Sequence, residues 1–243
     1  MSKLGIDYSG LENPPDPGGR RTGRGGRTGG RGLFRLPIRL ARWAVFGVLL
    51  AVLPFVLLIR GGVFAYHEWG LGTWPSLAVS AAAMALLLTV YAWAASRRIG
   101  AGKGLRKILT RAAALLGAAY VAYSLVYVAG ANAKSDEVRD EYSTLHPLLR
   151  VAASALILVD PGAVITDAGR TPDFYRRLGL SPNETSLHFE QPTGFVHALD
   201  LRTVGRPEWR NRAADVAFRA MGFHTLRHVG TADHLHVSLR PPG

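Results

Sequence analysis

"TWPSLAVSAAAMALLLTVYAWAAS", Thr73 to Ser96, contains no Asp, Glu, Lys or Arg. A helix crossing the roughly 30 Å hydrocarbon layer of a bilayer needs about 20 mostly apolar residues, and this stretch supplies them. Two similar stretches flank it. "WAVFGVLLAVLPFVLLI" runs uncharged from Trp43 to Ile59 between Arg42 and Arg60, and "AAALLGAAYVAYSLVYVAGANA" runs from Ala112 to Ala133. Pro54 in the first is tolerated in a membrane helix, where neighbouring helices re-satisfy the freed backbone groups. A cleaved signal peptide would begin nearer the N-terminus and would not be followed by two further apolar segments. Spans are therefore expected at about 43–59, 75–96 and 112–133, within a membrane region covering 36–133.

The charges orient these spans. Arg20, Arg21, Arg24, Arg27, Arg31, Arg35, Arg39 and Arg42 precede the first one. The next loop, "RGGVFAYHEWGLG", carries one Arg and one Glu, whereas "RRIGAGKGLRKILTR" between the second and third is again strongly basic. Basic loops stay in the cytoplasm. A multi-pass protein of the cytoplasmic (inner) membrane follows, with its N-terminus inside and everything after Ala133 outside. Residues 1–35, rich in Gly, Pro and Arg, read as a disordered basic tail that attracts anionic lipid headgroups. The net charge of +12 is thereby explained by topology and the lipid bilayer, so nucleic acid is not needed as a partner.

Residues 134–243 are soluble in character. "DEVRDEYSTLHPLLRVAASALILV" reads as a helix leading out of the membrane, "GAVITDAGR" as a strand and loop, and "PDFYRRLGL" as a short helix. "FVHALDLR" reads as a strand, "PEWRNRAADVAFRAMGF" as a helix closed by Gly222, and "DHLHVSL" as a last strand. The fold class is a multi-domain membrane protein: three transmembrane helices, then a small α+β domain with an antiparallel sheet. In the last strand, period-two alternation puts His234, His236 and Ser238 on one face and Leu235, Val237 and Leu239 on the other.

Cysteine is absent, so disulfides and thiolate metal sites are excluded. Six histidines lie between His188 and His236, and with Asp200 and Asp233 they form a cluster of metal-competent side chains. Imidazole and carboxylate suit zinc, whose catalytic sites use three such ligands and keep a fourth position open. His224 and His228 read as packed or surface residues, with contact to a substrate as their alternative, and His67 and His146 as structural or interfacial ones.

Taken in order, "VITDAGR", "SLH", "HALD" and "DHLH" resemble the zinc D-alanyl-D-alanine carboxypeptidase/dipeptidase family, to which the murein endopeptidases and the Hedgehog domain are related. The resemblance covers about residues 145–240 and not the membrane region. It implies His188, Asp200 and His236 as zinc ligands, Asp233 as the general base, and Arg170 as the group that holds a substrate carboxylate. His188 and Asp200 stand further apart than in the family's pattern, with "EQPT" as a loop insertion. His197 is closer to Asp200 and remains an alternative first ligand. His234 shares a face with His236 and is expected to line the same pocket, and Arg170 has a surface role as its alternative. The resemblance implies a membrane-anchored zinc metallopeptidase, a hydrolase acting on D-amino-acid peptides of peptidoglycan in the cell wall. The alternative is a non-catalytic module that binds metal or wall peptide on the same fold.

Overall fold

The computed structural model describes residues 35–171, 175–176, 179, 181, 185–230 and 233–242. The basic tail and most of the short helix expected at "PDFYRRLGL" lie outside the described residues. Helices α1 (Arg35–His67), α2 (Thr73–Arg98) and α3 (Lys103–Val126) are followed by α4 (Asp136–Glu141), α5 (Pro147–Val159) and strand β1 (Ile165–Asp167). Then come β2 (Ala198–Arg202), α6 (Glu208–Met221), β3 (His224–His228) and β4 (His234–Ser238). The chain divides into two compact units, residues 1–46 and 47–243. The second holds the sheet, the core and the histidine cluster.

Among the described residues, three helices are long and apolar enough to cross a membrane: Leu40–His67, Thr73–Arg98 and Lys103–Val126. The first does not stop near Ile59, where the sequence puts the end of the span, but continues through Gly61 and Gly62 to His67. Each helical glycine costs about 1 kcal/mol relative to alanine, and packing offsets it. Leu58, Ile59, Val63 and Tyr66 in these turns are all at most 1% exposed. Gly62 permits a close approach, because a Cβ there would lie 2.6 Å from Leu148 Cδ2 of α5. The apolar core runs across the boundary at residue 133: Leu58 and Val63 of α1 share it with Leu148 and Leu149 of α5, Phe218 of α6 and Leu199 of β2.

The stretch expected to form one helix leading from the membrane is broken in two. Pro147 disfavours helical backbone at the residue before it. His146 accordingly sits extended, with φ −53° and ψ 132°, and its Nδ1 caps α5 by accepting from Leu148 N–H. The last carbonyls of α3 find partners in this segment: Tyr142 Oη donates to Ser124 O, and Arg150 Nη1 donates to Leu125 O. Carbonyls left over at a helix end would otherwise be costly in an apolar setting.

The sheet is antiparallel throughout, in the order β1-β2-β4-β3. Leu199, Leu201, Leu235 and Val237 point to one face and are at most 2% exposed, each burial stabilising by about 1.5–3 kcal/mol. The opposite face carries the register partners Asp200, His236 and Leu226, then Arg202, His234 and His228. Strand β3 is absent from the sequence reading. The chain reverses after α6 at Gly222, in the left-handed region at φ 97°, and lays "HTLRH" along β4 as an edge strand.

Candidate metal centre

Three neighbouring segments supply the cluster. Asp200 comes from the middle of β2 and His236 from its register partner in β4. His188 comes from the loop before β2, held by two hydrogen bonds that tie this loop to the segment after β1. His188 Nδ1–H donates to Ala168 O at 2.8 Å, and Arg170 N–H donates to His188 O at 2.8 Å. The first bond fixes the tautomer and leaves His188 Nε2 with its lone pair facing inward, the arrangement typical of a metal-ligating imidazole.

His188 Nε2 lies 3.2 Å from His236 Nδ1 and 3.4 Å from Asp200 Oδ1, and His236 Nδ1 lies 2.9 Å from Asp200 Oδ1. Tetrahedral zinc with bonds of about 2.0–2.1 Å sets its ligand atoms about 3.3–3.4 Å apart. The three separations fall at or slightly inside that value, so the donor set fits a metal ion in size and in chemistry. His188, Asp200 and His236 form the one group among the described residues that could hold an ion. His188 and Asp200 are each 3% exposed, so charge here is shielded from water. Burial pushes the Asp200 carboxyl up, but in the ion-free site hydrogen bonding with His188, when its ring is protonated, and with His236 outweighs it and holds the carboxyl well below the usual carboxylate range. Burial likewise pulls His188 down, and the bond to Asp200 and its charge bring it above its ordinary value.

His197, the alternative ligand, lies outside the group. Its Nδ1–H donates to Leu239 O at 2.9 Å and its Nε2 faces Thr193 Oγ1 at 2.7 Å. Its ring stands 4.8 Å from that of His146 in a separate buried cluster with Tyr66. Burial depresses its pKa, which favours the neutral form.

A cavity of about 340 Å³ opens beside Asp200, and Arg170, Asp233 and His234 all line it. Arg170 Nε donates to Asp167 Oδ2 at 2.7 Å, and its Nη2 reaches Asp200 Oδ2 at 3.5 Å. His234 Nε2 lies 3.6 Å from Asp200 Oδ2, and its ring stacks on His228 with centroids 4.5 Å apart. Asp233 sits just before β4, at the cavity's edge, and its carboxylate is engaged by neighbours. Its carboxylate accepts from Thr203 Oγ1 at 2.6 Å and pairs with Arg227 Nη2 at 2.8 Å.

Three participants go beyond the sequence reading. Asp167, three residues before Arg170 in "VITDAGR", was legible as a local ion-pair partner. His228 becomes relevant only once β3 is known to pair with β4. Lys134 lines the cavity because its N–H donates to Ile165 O at 2.8 Å, a contact no local pattern encodes. No family model, curated protein or solved structure matches this chain.

Proposed function

We propose that this chain is a membrane-anchored zinc peptidase that cleaves D-amino-acid-containing peptides of peptidoglycan, as a D,D-carboxypeptidase or endopeptidase. This reading rests on the resemblance of residues 145–240 to that family, and the observation that carries it furthest is the convergence of His188, Asp200 and His236. The expected D-Ala-D-Ala peptidase/Hedgehog-like fold belongs to the same proposal, and the antiparallel sheet presenting two of the three ligands supports it.

His188 Nε2, His236 Nδ1 and an Asp200 oxygen would hold the ion. When bound, zinc supplies Lewis-acid polarisation of a carbonyl and makes water acidic enough to attack near neutral pH. Arg170 would pair with the terminal carboxylate of the peptide through the edge not used by Asp167, and Tyr175 Oη, 3.3 Å from its Nη1, helps to fix the guanidinium plane. His234 lines the same cavity as Arg170, with its Nε2 3.6 Å from Asp200 Oδ2. Asp233 would accept the proton at its carboxylate after turning from Arg227 into the cavity it already borders. Catalytic geometry in a free enzyme is often looser than in its substrate complex.

One observation favours the second reading, a non-catalytic module that binds metal or wall peptide: Thr203 and Arg227 occupy the Asp233 carboxylate. The purified chain, supplied with Zn²⁺ and a muropeptide ending in D-Ala-D-Ala, separates the two. The peptidase reading expects release of D-alanine or of a shortened peptide that chelation stops, and a loss of about 10²–10⁴-fold in Asp233→Asn with zinc retained. Zinc binding with no cleavage by the wild type would favour the binding module.

A further inference from the structure

A second cavity, of about 370 Å³, lies among the three long helices and shares no lining residue with the one beside Asp200. Ala51 and Phe55 of α1, Met84, Leu88 and Tyr91 of α2, and Gly117 of α3 line it, and its surface is almost wholly apolar. Gly117 brings α2 and α3 into contact, because a Cβ there would lie 3.1 Å from both Leu88 Cδ1 and Met84 Cε. The open space is left between that pair and α1, where Phe55 meets Tyr120 of α3 edge-on with ring centroids 5.2 Å apart. One polar atom is out of keeping with this lining. Tyr91 Oη is buried and has no hydrogen-bond partner among the described residues, although burying an unpaired hydroxyl is costly.

Cations crowd one end of the same helices. Arg97, Arg98, Lys103, Arg106, Lys107 and Arg111 all fall between residues 97 and 111, and no Asp or Glu stands between Glu68 and Asp136. Those two acids flank the far ends of α2 and α3, so nothing along the pair neutralises the cations. Two of them share the cavity's face. Met84, Leu88 and Tyr91 recur at helical spacing, and Arg98, seven residues past Tyr91, continues their stripe. Arg106 stands three turns before Gly117 on the same face of α3, and its Nε is buried without a partner. Lys107 and Arg111 project from other sides of α3, and Arg97 lies over the ring of Trp93 at 5.0 Å. The depths also agree. Arg98 and Met84 are about 21 Å apart along α2, and one leaflet with its headgroups is about 20–22 Å thick. Tyr91 lies about 10 Å below Arg98, just past a headgroup zone of about 5–8 Å.

We propose that this groove is a site for one anionic glycerophospholipid, with an acyl chain between α1, α2 and α3 and the phosphate held by Arg98 and Arg106. Tyr91 Oη then donates to an ester carbonyl, the polar group that a phospholipid carries where headgroup gives way to hydrocarbon. Charge complementarity selects the occupant. A zwitterionic lipid fills the apolar space with the same chains but brings no net charge to the unneutralised cations. The site rests on the three helices crossing a bilayer and is independent of the peptidase reading.

The test titrates the full chain, delipidated in detergent, with dioleoyl phosphatidylglycerol or dioleoyl phosphatidylcholine and counts bound lipids by native mass spectrometry. The two lipids share chains and esters and differ in net charge. Two arginines near the phosphate predict about tenfold tighter binding of the first phosphatidylglycerol. That ratio should fall towards one in R98Q/R106Q and persist in K107Q/R111Q, which removes as much charge from other sides of α3. A51F fills the groove from an exposed position on α1 and should weaken both lipids. Equal binding of the two lipids by the wild type would overturn the proposal. So would a preference lost as fully in K107Q/R111Q as in R98Q/R106Q, the mark of diffuse attraction to a basic surface. Unchanged affinities in A51F would place the chain outside the groove and overturn it as well.

Discussion

Lowering the pH should loosen the region where α1, α2 and α5 meet, and His146 is the reason. Its ring is fully buried, with Nδ1 accepting from Leu148 N–H and Nε2–H donating to Thr73 Oγ1 at 3.0 Å. Both nitrogens are committed to the neutral form, and a second ring proton would face the Leu148 N–H. Burial first, then the neighbouring His197, Arg150 and His67 charges, lower its pKa to about 3. An unfolded chain takes up the proton near pH 6.5, so stability is intact above that value and falls as the pH drops from 6.5 towards 3. At about 1.36 kcal/mol per pKa unit, the loss between pH 8 and pH 4 comes to about 3 kcal/mol, or roughly 6–12 °C in Tm for a unit of this size. Thermal unfolding of chelator-treated protein in detergent, followed by near-ultraviolet circular dichroism, reads this directly. His146→Asn keeps a side chain that can cap α5 but cannot titrate, and its stability should depend on pH less steeply by that amount. Parallel curves for wild type and variant would refute the reasoning.

Two further outcomes follow from the helices. Gly61→Ala should be neutral or slightly stabilising, because its Cβ would meet Ser80 Cβ at an ordinary 3.8 Å. Gly62→Ala, with the same gain in helix propensity, should be about 1–3 kcal/mol worse than Gly61→Ala in the same melting assay, since Leu148 must move. A reporter fused after Gly243 should be active only outside the cytoplasm, and cytoplasmic activity would remove the wall peptide from reach.

Much of the architecture can be read from local patterns. The three long apolar helices follow from uninterrupted apolar length, and β2 and β4 from alternation, with Leu235 and Val237 buried as that alternation requires. What escaped depends on distant partners. Helix α1 runs on past Gly61 and Gly62 because its last turns pack into the core, with Gly62 against Leu148, and β3 exists as a strand because β4 offers it an edge. The two candidate first ligands illustrate the same limit. Spacing could not separate His188 from His197, since each is set by a carbonyl far away in sequence. Ala168 O turns His188 toward Asp200, and Leu239 O turns His197 toward His146. The order of motifs named Asp233 as a base, but the contacts with Thr203 and Arg227 that now hold its carboxylate come from the residue just after β2 and from the unforeseen β3.

The central claim is that His188, Asp200 and His236 hold one metal ion, and equilibrium dialysis against Zn²⁺ with elemental analysis tests it most directly. The account predicts one zinc per chain in the wild type and in His197→Ala, and loss of that zinc in His188→Ala and His236→Ala. Retention of zinc by His188→Ala together with its loss from His197→Ala would contradict it, as would a wild type that binds none.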